Sequence, residues 1–227
     1  MRKILIAVVI LLVMPVPGSA QAPRRFERSL KRSSGHKYLV HVPQNYDPGT
    51  RYPLFIAMHQ KGGPAIDQYD QWNFFTNRDR YIMLCPQFFG GFQRFTSDED
   101  KKLISMMHEM KEEFKYDSDK VFLVGFSTGA DFVQKFAFRY PGRITAAGIL
   151  AARNYVEPPY SGKGREVKYF VGVGAEDTLS VDATKMFAQQ MKDKGYDAQF
   201  QEFPSAGHAL NDDIKNAYMT FLKKIDK

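Results

Sequence analysis

The chain has 227 residues and a formal net charge of +7, and 44% of its residues are hydrophobic and 25% are charged. These proportions are typical of one globular domain with a full core, and they exclude a disordered or fibrous chain. The basic excess is small and concentrated near the N-terminus, so no nucleic-acid partner is expected.

The first twenty residues have the composition of a secretory signal peptide. Arg2 and Lys3 form a basic head, an apolar run covers residues 4–14, and residues 18–20 are small. The run is shorter than the roughly 20 apolar residues that span a bilayer, so cleavage after Ala20 is expected rather than an uncleaved, stable membrane anchor. We therefore expect an exported protein, periplasmic or extracellular, whose charge without Arg2 and Lys3 is +5.

A basic segment follows at residues 21–34, and most of its charge lies in the run RRFERSLKR at Arg24–Arg32. Because the run is next to the new N-terminus, we expect a mobile, solvated end of the chain. Residues 35–227 are expected to form the folded domain.

Apolar runs alternate with helical patterns over residues 35–227. Runs such as Leu54–Met58 and Val121–Gly125 are apolar at every position, which indicates strands that helices cover on both faces. The alternation predicts a single α/β domain with a mostly parallel sheet. The predicted strands are Tyr38–Val42, Leu54–Met58, Tyr81–Cys85, Val121–Gly125, Ala146–Ala152, Tyr169–Gly174 and Ala198–Phe203. The predicted helices are Asp98–Phe114, Thr128–Tyr140, Val181–Lys194 and Asp212–Ile225.

Neither a disulfide nor a cofactor is expected. Cys85 is the single cysteine, and its place in an apolar run predicts a buried structural residue. The histidines are scattered without a metal-binding motif, and the segment Gly172–Asp177 lacks the final glycine of a dinucleotide-binding loop.

The pentapeptide Gly-Phe-Ser-Thr-Gly at residues 125–129 lies where a predicted strand meets a predicted helix. A sharp turn there would present a serine hydroxyl above the sheet, with the free N–H groups of the helix directed at a developing negative charge. The alternative is a serine that only caps the helix. The junction favours Ser127 as a nucleophile.

A serine nucleophile needs a base, and the base needs a carboxylate that orients it. Of the five histidines, His208 is the one in a loop after a late predicted strand. The loop after the strand Tyr169–Gly174 contains Asp177, with its neighbour Glu176 as the alternative. We therefore predict a set of Ser127, Asp177 and His208.

The same chemistry needs N–H donors for an oxyanion. One predicted donor is the backbone N–H of Thr128, directly after the nucleophile. The other should come from the loop that follows Leu54–Met58, where Lys61 N–H is preferred and Gln60 N–H is the alternative.

Four segments follow one another along the chain: RYPLFIAMHQKGG, YDSDKVFLVGFSTGADFVQKFAFRYPGRITAAGIL, GAEDTLSV and PSAGHAL. Together they resemble the α/β-hydrolases, in particular the esterases grouped with polyhydroxybutyrate depolymerases, feruloyl and acetylxylan esterases, and dienelactone-hydrolase-like proteins. The resemblance covers nearly all of the chain from residue 35, and it departs from the family at Gln60, where the family has glycine. It implies a serine hydrolase that cleaves carboxylic esters, with Ser127 as nucleophile, Asp177 as acid and His208 as base. A peptidase on the same fold and a catalytically silent binding module are the alternatives.

The stretch between the predicted strands Ala146–Ala152 and Tyr169–Gly174 is too short for a helical lid. An open site that accepts a small or polymer-linked ester is therefore expected. Several aromatic side chains are expected either near this site or in the core: Trp72, Phe88, Phe89, Phe92 and Phe95.

Overall fold

The computed structural model describes residues 22–31, 36–88, 98–160 and 162–227, and the predicted signal peptide at residues 1–20 lies outside them. The described strands are β1 (Arg24–Ser29), β2 (Lys37–Val42), β3 (Pro53–Met58), β4 (Ile82–Gln87), β5 (Asp117–Phe126), β6 (Ala146–Leu150), β7 (Lys168–Gly174) and β8 (Ala198–Phe203). The described helices are α1 (Ala65–Arg78), α2 (Glu99–Phe114), α3 (Thr128–Arg139), α4 (Val181–Asp193) and α5 (Asp212–Ile225), with short 3-10 helices at Pro141–Arg143 and Lys163–Glu166.

These strands form one sheet in the order β1-β2-β4-β3-β5-β6-β7-β8. Strands β3 to β8 run parallel, whereas β2 is antiparallel to both β1 and β4. The prediction of one α/β domain with a mostly parallel sheet is confirmed. The carboxyl ends of β3, β5, β7 and β8 therefore meet at one edge, where loops can bring distant residues together.

The central strands are apolar at every position because helices cover both faces of the sheet. Leu123 of β5 belongs to the core on one face, with α2, α3 and α4. Its neighbours Phe122 and Val124 belong to the core on the other face, with α1 and α5. The successive side chains of one strand thus serve two different cores.

The basic N-terminal segment contains an edge strand, so the expectation of a mobile end is wrong for residues 24–29. Strand β1 pairs with β2 over its whole length, from Arg24 opposite Val42 to Ser29 opposite Lys37. Arg28 Nη2 also lies 2.6 Å from a carboxylate oxygen of Glu113 on α2. Charged side chains are common on exposed edge strands because they discourage pairing with another chain, and here they hide the strand pattern.

Helix α1 is absent from the sequence prediction, although its apolar residues have helical spacing. Trp72 on this helix is fully buried, with its ring 5.1 Å from that of Phe55 and 6.0 Å from that of Tyr218. Trp72 is therefore a core residue. Phe88 is also buried, whereas Phe89, Phe92 and Phe95 lie outside the described residues.

Strand β6 ends at Leu150, two residues earlier than predicted, because Ala151 has a φ of 47° that a strand cannot contain. Between β6 and β7 the described residues contain one 3-10 turn and no longer helix. Cys85 is buried in β4 as predicted, and burial raises the pKa of its thiol. No helix in the described ranges is both long enough and apolar enough to cross a bilayer.

Candidate active site

Ser127 lies on the turn between β5 and α3 in a strained backbone conformation. Its φ is 55° and its ψ is −124°, a region that non-glycine residues rarely occupy and that costs about 1–3 kcal/mol. The turn is held because Ser127 N–H donates to Leu150 O at 2.9 Å, while Ser127 O accepts from Ala130 N–H at 2.9 Å. Strain held by its surroundings in this way is typical of functional sites.

The two glycines of the pentapeptide are required by close backbone contacts. A Cβ at Gly125 would lie 2.7 Å from Ala130 N, and a Cβ at Gly129 would lie 2.6 Å from Met58 O. Both distances are too short for any side chain. The glycines therefore allow the start of α3 to pack directly against β5 and the end of β3.

The structure brings Ser127, His208 and Asp177 together in one chain of hydrogen bonds. His208 Nε2 lies 3.0 Å from Ser127 Oγ, and His208 Nδ1 lies 2.6 Å from Asp177 Oδ2. Because a carboxylate can only accept, Nδ1 carries the hydrogen and Nε2 is left to accept from the serine hydroxyl. Asp177 is 3% exposed and Ser127 is 8% exposed, so both groups are largely shielded from water.

The alternative acid, Glu176, is not part of this chain of bonds. Its residue is exposed, and its backbone N–H donates to Ala206 O at 2.9 Å. Asp177 instead starts a tight turn, in which its carbonyl accepts from Ser180 N–H and Val181 N–H. Adjacent residues on a turn point in different directions, and here the side chain of Asp177 is the buried one of the two.

The ring of Phe126, the residue before the serine, packs against His208. The two ring centroids are 4.8 Å apart. The sequence prediction did not identify this contact, because it joins two segments that are far apart along the chain. Phe126 therefore supports one face of the imidazole that Asp177 orients from the edge.

His59, at the end of β3, fixes the loop that was predicted to bind an oxyanion. Its Nε2 lies 2.9 Å from Phe88 N–H, and its Nδ1 lies 2.8 Å from Gln60 O. An N–H can only donate, so Nε2 accepts and Nδ1–H donates to the Gln60 carbonyl. Burial lowers the pKa of His59, which favours the neutral form that this arrangement needs.

The orientation of the Gln60 carbonyl determines where Lys61 N–H points. In a planar trans peptide, the C=O and the next N–H point in opposite directions, so the bond to His59 turns Lys61 N–H away from His59. Lys61 N–H donates to Thr128 Oγ1 at 2.5 Å. Gln60 N–H and Thr128 N–H make no hydrogen bond to any described residue.

All the residues predicted for the site therefore come from loops at the same edge of the sheet. Ser127 and Asp177 each lie within hydrogen-bonding distance of His208, and Lys61 N–H, the preferred donor, reaches Thr128, the residue after Ser127. The side chains of His59 and Thr128 were missed as contributors. Their signal in the sequence is weak, since it consists only of a histidine directly after a strand and a hydroxyl directly after Ser127.

Two cavities adjoin the loop after β3. One of about 360 Å³ is lined by His208, Phe126 and polar side chains of α1 such as Gln68. A larger one of about 820 Å³ is lined by Gly62 and Gly63 of the loop after β3 and by side chains of β1 and β2, and none of Ser127, Asp177 or His208 lines it. Among the residues that the structure describes, no three His, Cys, Asp or Glu side chains are grouped as metal ligands.

Comparisons with known proteins agree with this architecture. A sequence profile of the dienelactone hydrolase family matches residues 87–221. Feruloyl esterase B of Talaromyces stipitatus is 26% identical over 122 residues, which cover 48% of this chain and 33% of that protein. The matched region thus spans about a third of the length of that relative.

Two solved structures confirm the α/β-hydrolase fold. A CE1 ferulic acid esterase from Anaeromyces mucronatus, in complex with ferulic acid, superposes with a TM-score of 0.72 at 15% identity, covering 92% of both chains. The fluorophosphonate-binding serine hydrolase F of Staphylococcus aureus has a TM-score of 0.70 at 12% identity, covering 90% of this chain and 99% of that one.

Proposed function

Since the chain belongs to the dienelactone hydrolase family, we propose that it is a serine esterase that cleaves carboxylic esters through an acyl-enzyme intermediate. The observation that carries the proposal is the chain of hydrogen bonds from Ser127 Oγ through the His208 imidazole to Asp177, at 3.0 and 2.6 Å. Nucleophile, base and orienting acid are the roles that this chain of bonds supports.

In the first step, Ser127 Oγ attacks the ester carbonyl carbon while its proton passes to His208 Nε2. The carbonyl electron pair moves onto the oxygen, which becomes the oxyanion of a tetrahedral intermediate. Asp177 stabilises the imidazolium through the hydrogen on Nδ1 and keeps the ring in this tautomer. Thr128 N–H and the loop that contains Gln60 and Lys61 are the proposed donors for the oxyanion.

The intermediate then expels the alcohol, which leaves with the proton from His208 Nε2, and the acyl group remains on Ser127. A water molecule repeats the sequence on the acyl-enzyme, with His208 again taking and returning a proton. The released products are the carboxylic acid and free Ser127. Every proton is carried by a group of this chain or by water, so the scheme requires no cofactor.

The acyl group is proposed only as a class. One relative is a feruloyl esterase and one structural neighbour is a ferulic acid esterase. The first comparison is therefore between the rates of hydrolysis of aromatic acyl esters and of short aliphatic esters. The cavity of about 360 Å³ that is lined by His208 and Phe126 offers room for such a group.

Export is proposed on the sequence of residues 1–20 alone. The basic head, the short apolar run and the small residues before Ala20 support a cleaved signal peptide. N-terminal sequencing of protein recovered from the periplasm or culture medium tests this, with Gln21 as the expected first residue. Protein recovered from the cytosol with Met1 intact would contradict it.

The test of the activity combines hydrolysis and labelling. Wild type is expected to hydrolyse p-nitrophenyl acetate and to react with a fluorophosphonate probe, whereas Ser127→Ala should lose the label and about 10⁴- to 10⁶-fold in kcat. Ser205→Ala, an exposed serine three residues before His208, is the matched control and should keep both.

Three results would change the conclusion. Folded wild type that is neither active nor labelled would support a silent binding module. Activity that survives Ser127→Ala would exclude this serine as the nucleophile. Faster hydrolysis of a peptide p-nitroanilide than of the matching ester would favour a peptidase.

A further inference from the structure

Thr128 places its side-chain oxygen in front of a backbone donor of the oxyanion loop. Lys61 N lies 2.5 Å from Thr128 Oγ1, and Thr128 is only 7% exposed. An oxyanion that accepted directly from Lys61 N–H would need the position that this hydroxyl occupies. If Lys61 N–H serves the oxyanion, the hydroxyl must therefore either move away during the reaction or take part in it.

The hydroxyl still has a hydrogen to donate. A threonine hydroxyl offers one donor and two lone pairs, and the bond from Lys61 N–H uses only a lone pair. No described residue accepts from Thr128 Oγ1, and the N–H of Thr128 is equally without an acceptor at the start of α3. Both donors belong to the residue directly after Ser127, where the oxyanion must form.

The surroundings make a displacement of the hydroxyl costly. His59 holds the Gln60 carbonyl, which fixes the direction of Lys61 N–H. Gly129 packs against the end of β3, which fixes the start of α3 relative to the same loop. A β-branched side chain between two fixed segments has few alternative rotamers, so the contact between Lys61 and Thr128 should persist during the reaction.

We infer that the Thr128 hydroxyl is an additional oxyanion donor, which accepts from Lys61 N–H and donates its own hydrogen to the oxyanion. No covalent bond forms or breaks at Thr128, and its proton is not transferred. A hydroxyl that accepts a hydrogen bond becomes a stronger donor, so Lys61 N–H acts on the oxyanion through Thr128. The inference rests on the proposed function.

The test replaces the hydroxyl without changing the shape of the side chain. Thr128→Val is expected to lower kcat about 10- to 100-fold with little change in KM, because an oxyanion donor acts mainly in the transition state. Thr128→Ser retains the hydroxyl and should stay within about threefold of wild type. The affinity for a trifluoromethyl ketone, whose adduct with a serine carries an oxyanion, should fall by the same factor as kcat/KM in Thr128→Val.

A second pair of variants differs by a single oxygen atom. Thr128→Ser and Thr128→Ala both lack the methyl group, so a lower kcat in Thr128→Ala alone isolates the hydroxyl even if Thr128→Val does not fold. Thermal unfolding of each variant identifies those that are folded.

The outcomes separate this inference from the proposed function. If Thr128→Val or Thr128→Ala is as active as wild type, or more active, the hydroxyl only occupies Lys61 N–H and the inference is overturned. An equal loss in Thr128→Ser and Thr128→Ala would assign the effect to the methyl group, with the same consequence. If wild type itself shows neither activity nor labelling, the proposed function fails instead.

Discussion

Gly174, the last residue of β7, lies directly against Ala206 in the loop that carries His208. A Cβ at position 174 would lie 2.5 Å from the carbonyl carbon of Ala206 and 2.6 Å from Gly207 O. The carbonyl of Ala206 also accepts from Glu176 N–H at 2.9 Å. The segment that carries Asp177 and the segment that carries His208 are therefore packed backbone to backbone.

This packing predicts that Gly174→Ala separates Asp177 from His208. A methyl group at position 174 must displace the loop, and a displacement of about 1 Å can cost about 100-fold in rate. We expect kcat/KM on p-nitrophenyl acetate to fall by at least this factor. Gly142→Ala is the control, because a Cβ there meets no atom within 4 Å. Equal activity of both variants would contradict the prediction.

Asp177→Asn is expected to keep the fold and to lose about 10⁴-fold in kcat. The amide cannot hold the His208 imidazole in the tautomer that accepts from Ser127. Glu176→Gln changes the neighbouring exposed carboxylate in the same way and should have little effect. Initial-rate kinetics on both variants checks this. A larger loss in Glu176→Gln than in Asp177→Asn would assign the role of the orienting acid to Glu176.

His59→Ala is expected to lower kcat about 10- to 100-fold, with KM changing less. Without the bond from His59, the Gln60 carbonyl keeps only the bond from Gly63 N–H at 3.0 Å, so the peptide that directs Lys61 N–H towards Thr128 is held less firmly. His108→Ala, an exposed histidine on α2, should leave kcat unchanged. Kinetics is measured on folded samples at the same pH. An unaltered kcat in His59→Ala would show that the loop keeps its orientation without the His59 side chain.

Asp131→Ala tests how much the hydrogen bonds from the loop after β6 to Asp131 stabilise the fold. The fully buried carboxylate of Asp131 accepts from Arg153 N–H and Asn154 N–H, both at 2.9 Å, and from Asn154 Nδ2 at 2.7 Å. Its removal takes the acceptor from three donors of the exposed residues Arg153 and Asn154, so the free energy of unfolding should fall by about 1–3 kcal/mol. Urea denaturation measures this. Glu112→Ala, on an exposed face of α2, should change it by less than about 0.5 kcal/mol.

His41 should make stability depend on pH below neutrality. Burial lowers its pKa from 6.5 to about 4, while Nδ1 lies 3.1 Å from the Tyr69 hydroxyl. The unfolded chain binds this proton near pH 6.5 and the folded chain only near pH 4. The contribution of His41 to the free energy of unfolding is therefore fully present above pH 6.5. It is lost as the pH drops towards 4, by up to about 1 kcal/mol per pH unit.

The comparison with His41→Asn isolates this contribution. The variant is less stable at every pH because of the smaller side chain, but its free energy of unfolding should fall less steeply between pH 6.5 and 4. Denaturant unfolding at several pH values gives both slopes. Parallel slopes would assign the pH dependence to other groups.

The fold class could be predicted from the sequence because its signals are local. Strands that are apolar at every position, followed by helical patterns, indicate a covered parallel sheet whatever the rest of the chain does. Two elements, β1 and α1, are absent from the sequence prediction. Both are stabilised by partners far away in the chain, such as β2 and Tyr218, and the charges on β1 conceal its strand pattern.

Ser127, Asp177 and His208 could be selected from the sequence because each follows a predicted strand, and parallel strands end at one edge. The order of the elements therefore determined which residues could meet. Only the tertiary structure decided that Asp177, not Glu176, faces His208, and that Lys61 N–H points to the Thr128 hydroxyl. Those choices depend on side-chain and peptide orientations between segments that are distant in sequence, and packing alone determines such orientations.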